Sequence, residues 1–227
     1  MKKIFQLLLA IGLVICGYGL GKLFPITGYK SFVPHQNLVR LEDNIYCQFE
    51  LKDSCLSQKT NGITLYQNQI KLARQSGYLS RYLQDGGNIV FEKQADSSIA
   101  GEFHIADCHI SIYINDNDLN ENVLDSYPNV LLHEIGHYFY YKENINRDKN
   151  WYLLFKKNQK DVDHFDDHDL LNQSEFFACN FERVVRTQIL TDKEYYCKAD
   201  IFPDIQSYMI YFQKKIDNTY NSVKYIK

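Results

Sequence analysis

Proline is scarce, at 4 of 227 residues, and neither a low-complexity run nor an internal repeat interrupts the chain. With 45% hydrophobic and 15% aromatic residues, these absences exclude a disordered, linker-like protein. Basic clusters beyond short lysine pairs are missing too, and the formal net charge is −3. No nucleic-acid partner is expected on that charge pattern. No Cys-x-x-Cys spacing occurs, so a thiolate zinc site has no support. Aromatic mass is plentiful, with 18 Tyr and 14 Phe, and the length suffices for one sizeable core.

At the start, Met1-Lys2-Lys3 precedes an apolar run from Ile4 to about Gly21, closed by Lys22. Positive charge followed by an apolar stretch directs export. The run stands at the border between a cleaved signal peptide and a spanning anchor, so residues 1–22 are expected to be one or the other. No Ala-x-Ala cleavage site occurs, and Ile15 before Cys16 argues against lipidation. In either case the remainder is expected to be exported. It would be secreted, or anchored to the outer face of the cytoplasmic membrane through this segment alone. Beyond Cys16 there are five cysteines, Cys47, Cys55, Cys108, Cys179 and Cys197. In an oxidising compartment Cys47–Cys55 and Cys179–Cys197 are the pairings nearest in sequence, with Cys108 left over. Five reduced, buried thiols are the alternative.

Residues 23–60 carry Pro25, Gly28 and Pro34 and are expected to be an irregular lead-in with a short strand at 45–49. From 61 to 227 one catalytic domain is expected. Apolar residues recur at helical spacing from Ile63 to Leu83, as one helix or as two broken at Gly77. Strands are expected at 88–91, 101–105 and 109–114; in the last, Ile110, Ile112 and Ile114 alternate along one face. The polar stretch 116–122 lacks the glycine and terminal glutamate of an EF-hand loop. Helices are expected at 127–142, with Pro128 in the first turn, at 151–157, at 173–189 and at 204–216. An acidic, histidine-bearing loop spans 161–169. The order gives an α+β fold: a small, mostly antiparallel sheet packed on the 127–142 helix, then a helical subdomain.

That helix holds His133-Glu134-Ile135-Gly136-His137. Positions i and i+4 lie on one helical face, so the two imidazoles can share one metal ion. Glu134 stands beside that face, within reach of a water at the metal. This spacing is the one a zinc hydrolase uses, and its commonest use is peptide hydrolysis. The competing reading is an amphipathic helix whose histidines are merely packed. However, Asn129-Val130-Leu131-Leu132 and Tyr138-Phe139-Tyr140-Tyr141 make the helix apolar nearly all round, and buried imidazoles and carboxylates need partners. Gly136 weakens the helix by roughly 1 kcal/mol relative to alanine. Its presence suggests that another backbone or a substrate passes close by.

Catalytic zinc takes three protein ligands and keeps one position open. A third histidine six residues after His137 is excluded, because position 143 is Glu143 and position 140 is Tyr140. A glutamate from a later helix remains, and Glu175 is the best candidate. Its competing role is a capping box with Asn172. Glu182, His164 and His168 are the other candidate ligands.

His133-Glu134-Ile135-Gly136-His137, followed by Ser174-Glu175-Phe176-Phe177-Ala178, resembles the catalytic domain of the anthrax lethal factor-like gluzincin peptidases, a group that includes the Pro-Pro endopeptidases. The resemblance covers these two helices and their separation. It implies a zincin-like fold, zinc held by His133, His137 and Glu175, and Glu134 as general base. The family has a tyrosine seven residues before the ligand glutamate that steadies the oxyanion; here the position is His168, which can donate the same hydrogen bond. It often has a second glutamate four residues after the ligand; here that position is Cys179, leaving a carboxylate to come from elsewhere, with Glu182 a candidate.

The function expected is therefore hydrolysis of peptide bonds by a zinc-activated water, with a peptide or protein substrate lying extended along an edge strand, 109–114. The rival is an exported, zinc-containing binding protein on the same fold that has lost catalysis.

Overall fold

The computed structural model describes residues 31–58, 62, 64–93, 99–114, 129–161, 165, 167–189 and 202–224, with backbone alone at 221–224. Residues 1–22, the 116–122 loop, Cys197 and His164 lie outside this set. Five strands form one sheet: β1 (Leu38–Glu42), β2 (Ile45–Gln48), β3 (Asn88–Lys93), β4 (Gly101–His104) and β5 (His109–Ile114). Seven α-helices accompany them among the described residues: α1 (Lys52–Leu56), α2 (Leu65–Gln75), α3 (Tyr78–Gln84), α4 (Val130–Lys142), α5 (Lys149–Asn158), α6 (Gln173–Ile189) and α7 (Pro203–Lys224). None of them is long and apolar enough to cross a membrane.

The fold is α+β, and the sheet is mixed rather than mostly antiparallel. The strand order is β1-β2-β3-β5-β4. β1–β2 and β4–β5 pair antiparallel, whereas β2–β3 and β3–β5 pair parallel. A parallel pair needs a crossover, and α1, α2 and α3 provide it between β2 and β3. The stretch expected to be an irregular lead-in therefore supplies two strands and a helix to the same sheet. β5 lies between β3 and β4, so the strand expected at the sheet edge is interior, and the edge is β4.

Local signals set the helix ends. Thr64 and Gln67 form a capping box at the start of α2, with Thr64 N–H donating to Gln67 Oε1 at 3.0 Å. Gly77, at φ 77°, separates α2 from α3 as a left-handed residue. α4 starts at Val130, three residues later than expected, because the Asn129 side chain caps it by accepting from Leu132 N–H at 3.0 Å. Tyr127 and Pro128 lie outside the described residues. Helix α7 is tied to α4 at Asp85, whose carboxylate accepts from Tyr138 Oη at 2.6 Å, from Lys142 and from Tyr220.

The core lies between the sheet and α4. Ile89, Phe91, Ile110, Ile112 and Ile114 are buried there, as are Leu131, Ile135 and Phe139. Behind α4 comes α6, running antiparallel to it: His137 meets Ser174, His133 meets Cys179, and Asn129 meets Glu182. Phe139–Phe181 and Tyr140–Phe177 ring pairs, 5.9 and 5.6 Å between centroids, fill the interface. Cys47 and Cys55 are both buried, unbonded, with their thiols within hydrogen-bonding reach. Cys108 is buried and unbonded as well.

Candidate metal centre

Glu175, Cys179, Glu182, Arg183 and Arg186 recur at helical spacing along α6 and make one polar stripe beside its aromatic face. The stripe faces α4, whose own polar residues on that side are Asn129, His133 and His137. Three donor atoms converge where the stripes begin. His133 Nε2 and His137 Nε2 stand 3.1 Å apart, and Glu175 Oε2 is 3.1 Å from the first and 3.2 Å from the second. His133, His137 and Glu175 thus form a group that could hold a metal ion. A tetrahedral ion with bonds of about 2.0–2.1 Å spaces its ligand atoms about 3.3–3.4 Å apart, close to this triangle. Two imidazole nitrogens facing each other at 3.1 Å repel through their lone pairs unless a proton or cation lies between them. The donor set therefore fits a cation.

The outer ring nitrogens are engaged as metal ligation requires. His137 Nδ1 is 2.7 Å from Ser174 Oγ, and His133 Nδ1 is 3.6 Å from Cys179 Sγ. With each Nδ1 carrying the hydrogen, each Nε2 presents a lone pair to the centre. Burial lowers the pKa of His133, the hydrogen bond to Glu175 opposing it. For His137 burial also acts downward, but Glu175 and Glu134 outweigh it and the net shift is upward. Burial raises Glu175, yet in the metal-free chain, where the centre-facing nitrogens can carry protons, hydrogen bonds from the two imidazoles hold its carboxyl well below the usual range.

Glu175 is the third residue of α6. Asn172 caps that helix, its Oδ1 accepting from Ser174 N–H at 2.8 Å and Glu175 N–H at 3.0 Å. Only the backbone of Glu175 serves the cap; its carboxylate turns to the imidazoles. The cap and the carboxylate's approach to the imidazoles coexist. His168 also converges on Glu175 Oε2, at 3.0 Å, with its side chain 62% exposed at the cleft mouth. Glu182 stands away from the donor triangle. Its Oε1 accepts from Asn129 N–H at 2.9 Å and lies 3.5 Å from Arg186, fixing the start of α4.

Glu134 is 5% exposed. Burial pushes its carboxyl up to about 7, against the His137 charge and the Phe103 backbone N–H that favour ionisation. The Phe103 contact follows from the β4 register. Tyr113 N–H donates to the Ala100 carbonyl at 2.9 Å, so Glu102 and His104 direct their backbone groups toward β5, and Gly101 and Phe103 direct theirs outward. Gly101 lets this edge lie against the helix: a Cβ there would fall 2.5 Å from Val130 Cγ1 and 3.2 Å from Glu134 Oε1. A cleft of ≈ 900 Å³ opens between β4 and the donor triangle, lined among others by Gly101, Phe103, Glu134, Tyr141, His168 and Leu171.

The structure thus brings together His133, Glu134, His137, His168 and Glu175. Three contributors have no counterpart in the sequence reading: Ser174 behind His137, Gly101 over Glu134, and Asp169, buried and paired with Arg183. Arg183 carries the one available signal, because an arginine on the buried face of a helix needs a carboxylate. No family model, curated protein or solved structure was found to match the chain.

Proposed function

We propose that this protein is an exported zinc-dependent metallopeptidase of the gluzincin type, on a zincin-like fold. The observation that carries the reading is the convergence of His133 Nε2, His137 Nε2 and Glu175 Oε2 within 3.2 Å of one another, beside a buried Glu134. His133, His137 and Glu175 would hold the ion. Zinc, when bound there, supplies Lewis acidity and brings the pKa of a water toward roughly 7.

The remaining steps belong to the chain's own residues. Glu134, with a carboxyl poised near neutrality, takes a proton from the attacking water and returns it to the leaving amine. His168, exposed at the mouth, turns from Glu175 toward the substrate and donates to the carbonyl oxygen as charge develops on it. The outward backbone groups of Gly101 and the outward carbonyl of Phe103 pair with an extended peptide, adding a strand beside β4, while the Phe103 N–H stays with Glu134. This replaces the interior strand 109–114 in the docking role expected from the sequence. Phe103, Tyr141 and Leu171 give that strand an apolar floor.

The rival, a zinc-containing binding protein without catalysis, has Cys179 at the family's glutamate position in its favour. A peptide library incubated with the protein, with and without a chelator, separates the two. Cleavage abolished by chelation and restored by zinc is expected. An uncut library with zinc bound selects the rival. Export rests on residues 1–22, and fractionation of expressing cells tests it.

A further inference from the structure

Behind His133 the polar stripe of α6 continues into the core. Cys179 Sγ lies 3.6 Å from His133 Nδ1, and Cys179 is 7% exposed. On its other side the Asp169 carboxylate is within hydrogen-bonding reach of the thiol. Asp169 is itself held by Arg183, and both side chains are almost wholly buried. A metal-ligating imidazole needs an acceptor behind its distal N–H to fix the ring and raise its basicity, and a carboxylate usually serves. Here the group behind the ring is a sulfur, and the carboxylate meets that sulfur in turn. A thiol has one donor hydrogen and a weak acceptor sulfur, so it can bridge the two.

Resting on the metal reading above, we propose that Cys179 is a positioning residue: it accepts from His133 Nδ1–H and donates its own hydrogen to Asp169, so that the buried Asp169–Arg183 pair orients the first ligand histidine through a thiol. The order of donors is fixed by the ends. His133 Nε2 faces the centre, so Nδ1 carries the hydrogen. Arg183 only donates, so Asp169 is the terminal acceptor. The thiol can face only one way between them. His137 needs no such relay, since Ser174 Oγ meets its Nδ1 directly at 2.7 Å. The two ligand histidines are therefore supported unequally, one by a hydroxyl at the cleft and one by an ion pair in the core.

The test compares zinc dissociation constants of the native chain with those of two variants, by competition with a chromophoric chelator. Cys179→Ala removes both hydrogen bonds while leaving an apolar wall. It is expected to weaken zinc binding about 10–100-fold. Cys179→Asn restores both roles, its carbonyl oxygen toward His133 and its amide hydrogens toward Asp169. Its oxygen reaches further from the backbone than sulfur, which suits the shorter N–H···O distance of about 2.9 Å. It is expected to bind zinc within about threefold of the native chain, whereas a packing defect would not be repaired by a larger polar side chain. Equal affinity in native and Cys179→Ala proteins overturns the relay and leaves the zinc site standing. Equal loss in the alanine and asparagine variants also overturns it, assigning Cys179 to packing alone. Absence of zinc binding by the native chain removes the metal reading and this inference together.

Discussion

The Cα of Ala178 lies 2.9 Å from where a Cβ on Gly136 would stand. The two helices that carry the candidate ligands touch there, backbone to backbone, between the two histidines of α4 and three residues past Glu175 on α6. The glycine in mid-helix is thus explained by a neighbouring backbone, one of the two reasons the sequence offers.

Gly136→Ala should consequently push α4 and α6 apart. Helix propensity favours the change by roughly 1 kcal/mol, but overpacking a backbone contact costs about 1–3 kcal/mol. A net loss of stability in chemical denaturation is expected, with weaker zinc binding. A variant more stable than native, with zinc binding intact, would show that the helices need not sit so close.

Glu134→Gln keeps the shape and removes the base. Zinc content, measured by elemental analysis, should be unchanged, and peptide cleavage should fall by about 10²–10⁴-fold. Because burial raises this carboxyl to about 7 in the metal-free chain, its base form is lost as the pH falls through that region. A nearby cation draws the value down. The acidic limb of the native kcat/KM profile should therefore lie between the ordinary 4.5 and about 7. Undiminished cleavage by the glutamine variant would remove Glu134 from the chemistry.

Glu175→Ala should leave two imidazoles and no anionic donor. Zinc should dissociate at chelator concentrations that the native protein withstands, and cleavage should be lost with it. Retention of zinc by this variant would assign the third ligand to another residue, with His168 the nearest candidate.

Gly101→Ala tests the edge strand. The added methyl meets Val130 and the Glu134 carboxylate, so β4 must lift away from the cleft. Activity should fall more than stability, with KM rising, because the strand that would pair with substrate is displaced while the core behind β5 is untouched. An unchanged KM would place the substrate elsewhere.

Arg183→Met should leave the buried Asp169 carboxylate without its guanidinium partner. A loss of about 3–5 kcal/mol is expected when one partner of such a pair is removed. Thermal unfolding measures it; a shift within error would mean that water or another group neutralises Asp169.

Much of this arrangement is legible in the sequence, and what is not has definable causes. The i, i+4 histidines and the strands expected at 88–91 and 101–105 follow from local periodicity, and the structure takes the broken-helix alternative at Gly77. The place of β5 does not. Alternation of Ile110, Ile112 and Ile114 marks an apolar face, but it carries nothing about what pairs on either side. A four-residue turn, Ile105 to Cys108, folds β4 back on the outside and makes β5 interior. Strands β1 and β2 are short and carry mixed residues, so their pairing is decided by the sheet they join. The two engagements of Glu175 cannot be separated in sequence, because the pattern that marks a cap says nothing of where the carboxylate turns. Backbone and carboxylate act separately, and one residue serves both.

The donors at 133, 137 and 175 are set in a frame that does not require them. Rings from Tyr78, Phe139, Phe177, Phe181 and Phe212 interlock where α3, α4, α6 and α7 meet, without sharing an atom with the donor triangle. On the zinc reading proposed above, folding and metal loading are separate events, and the chelator-stripped chain is expected to keep its fold while losing activity.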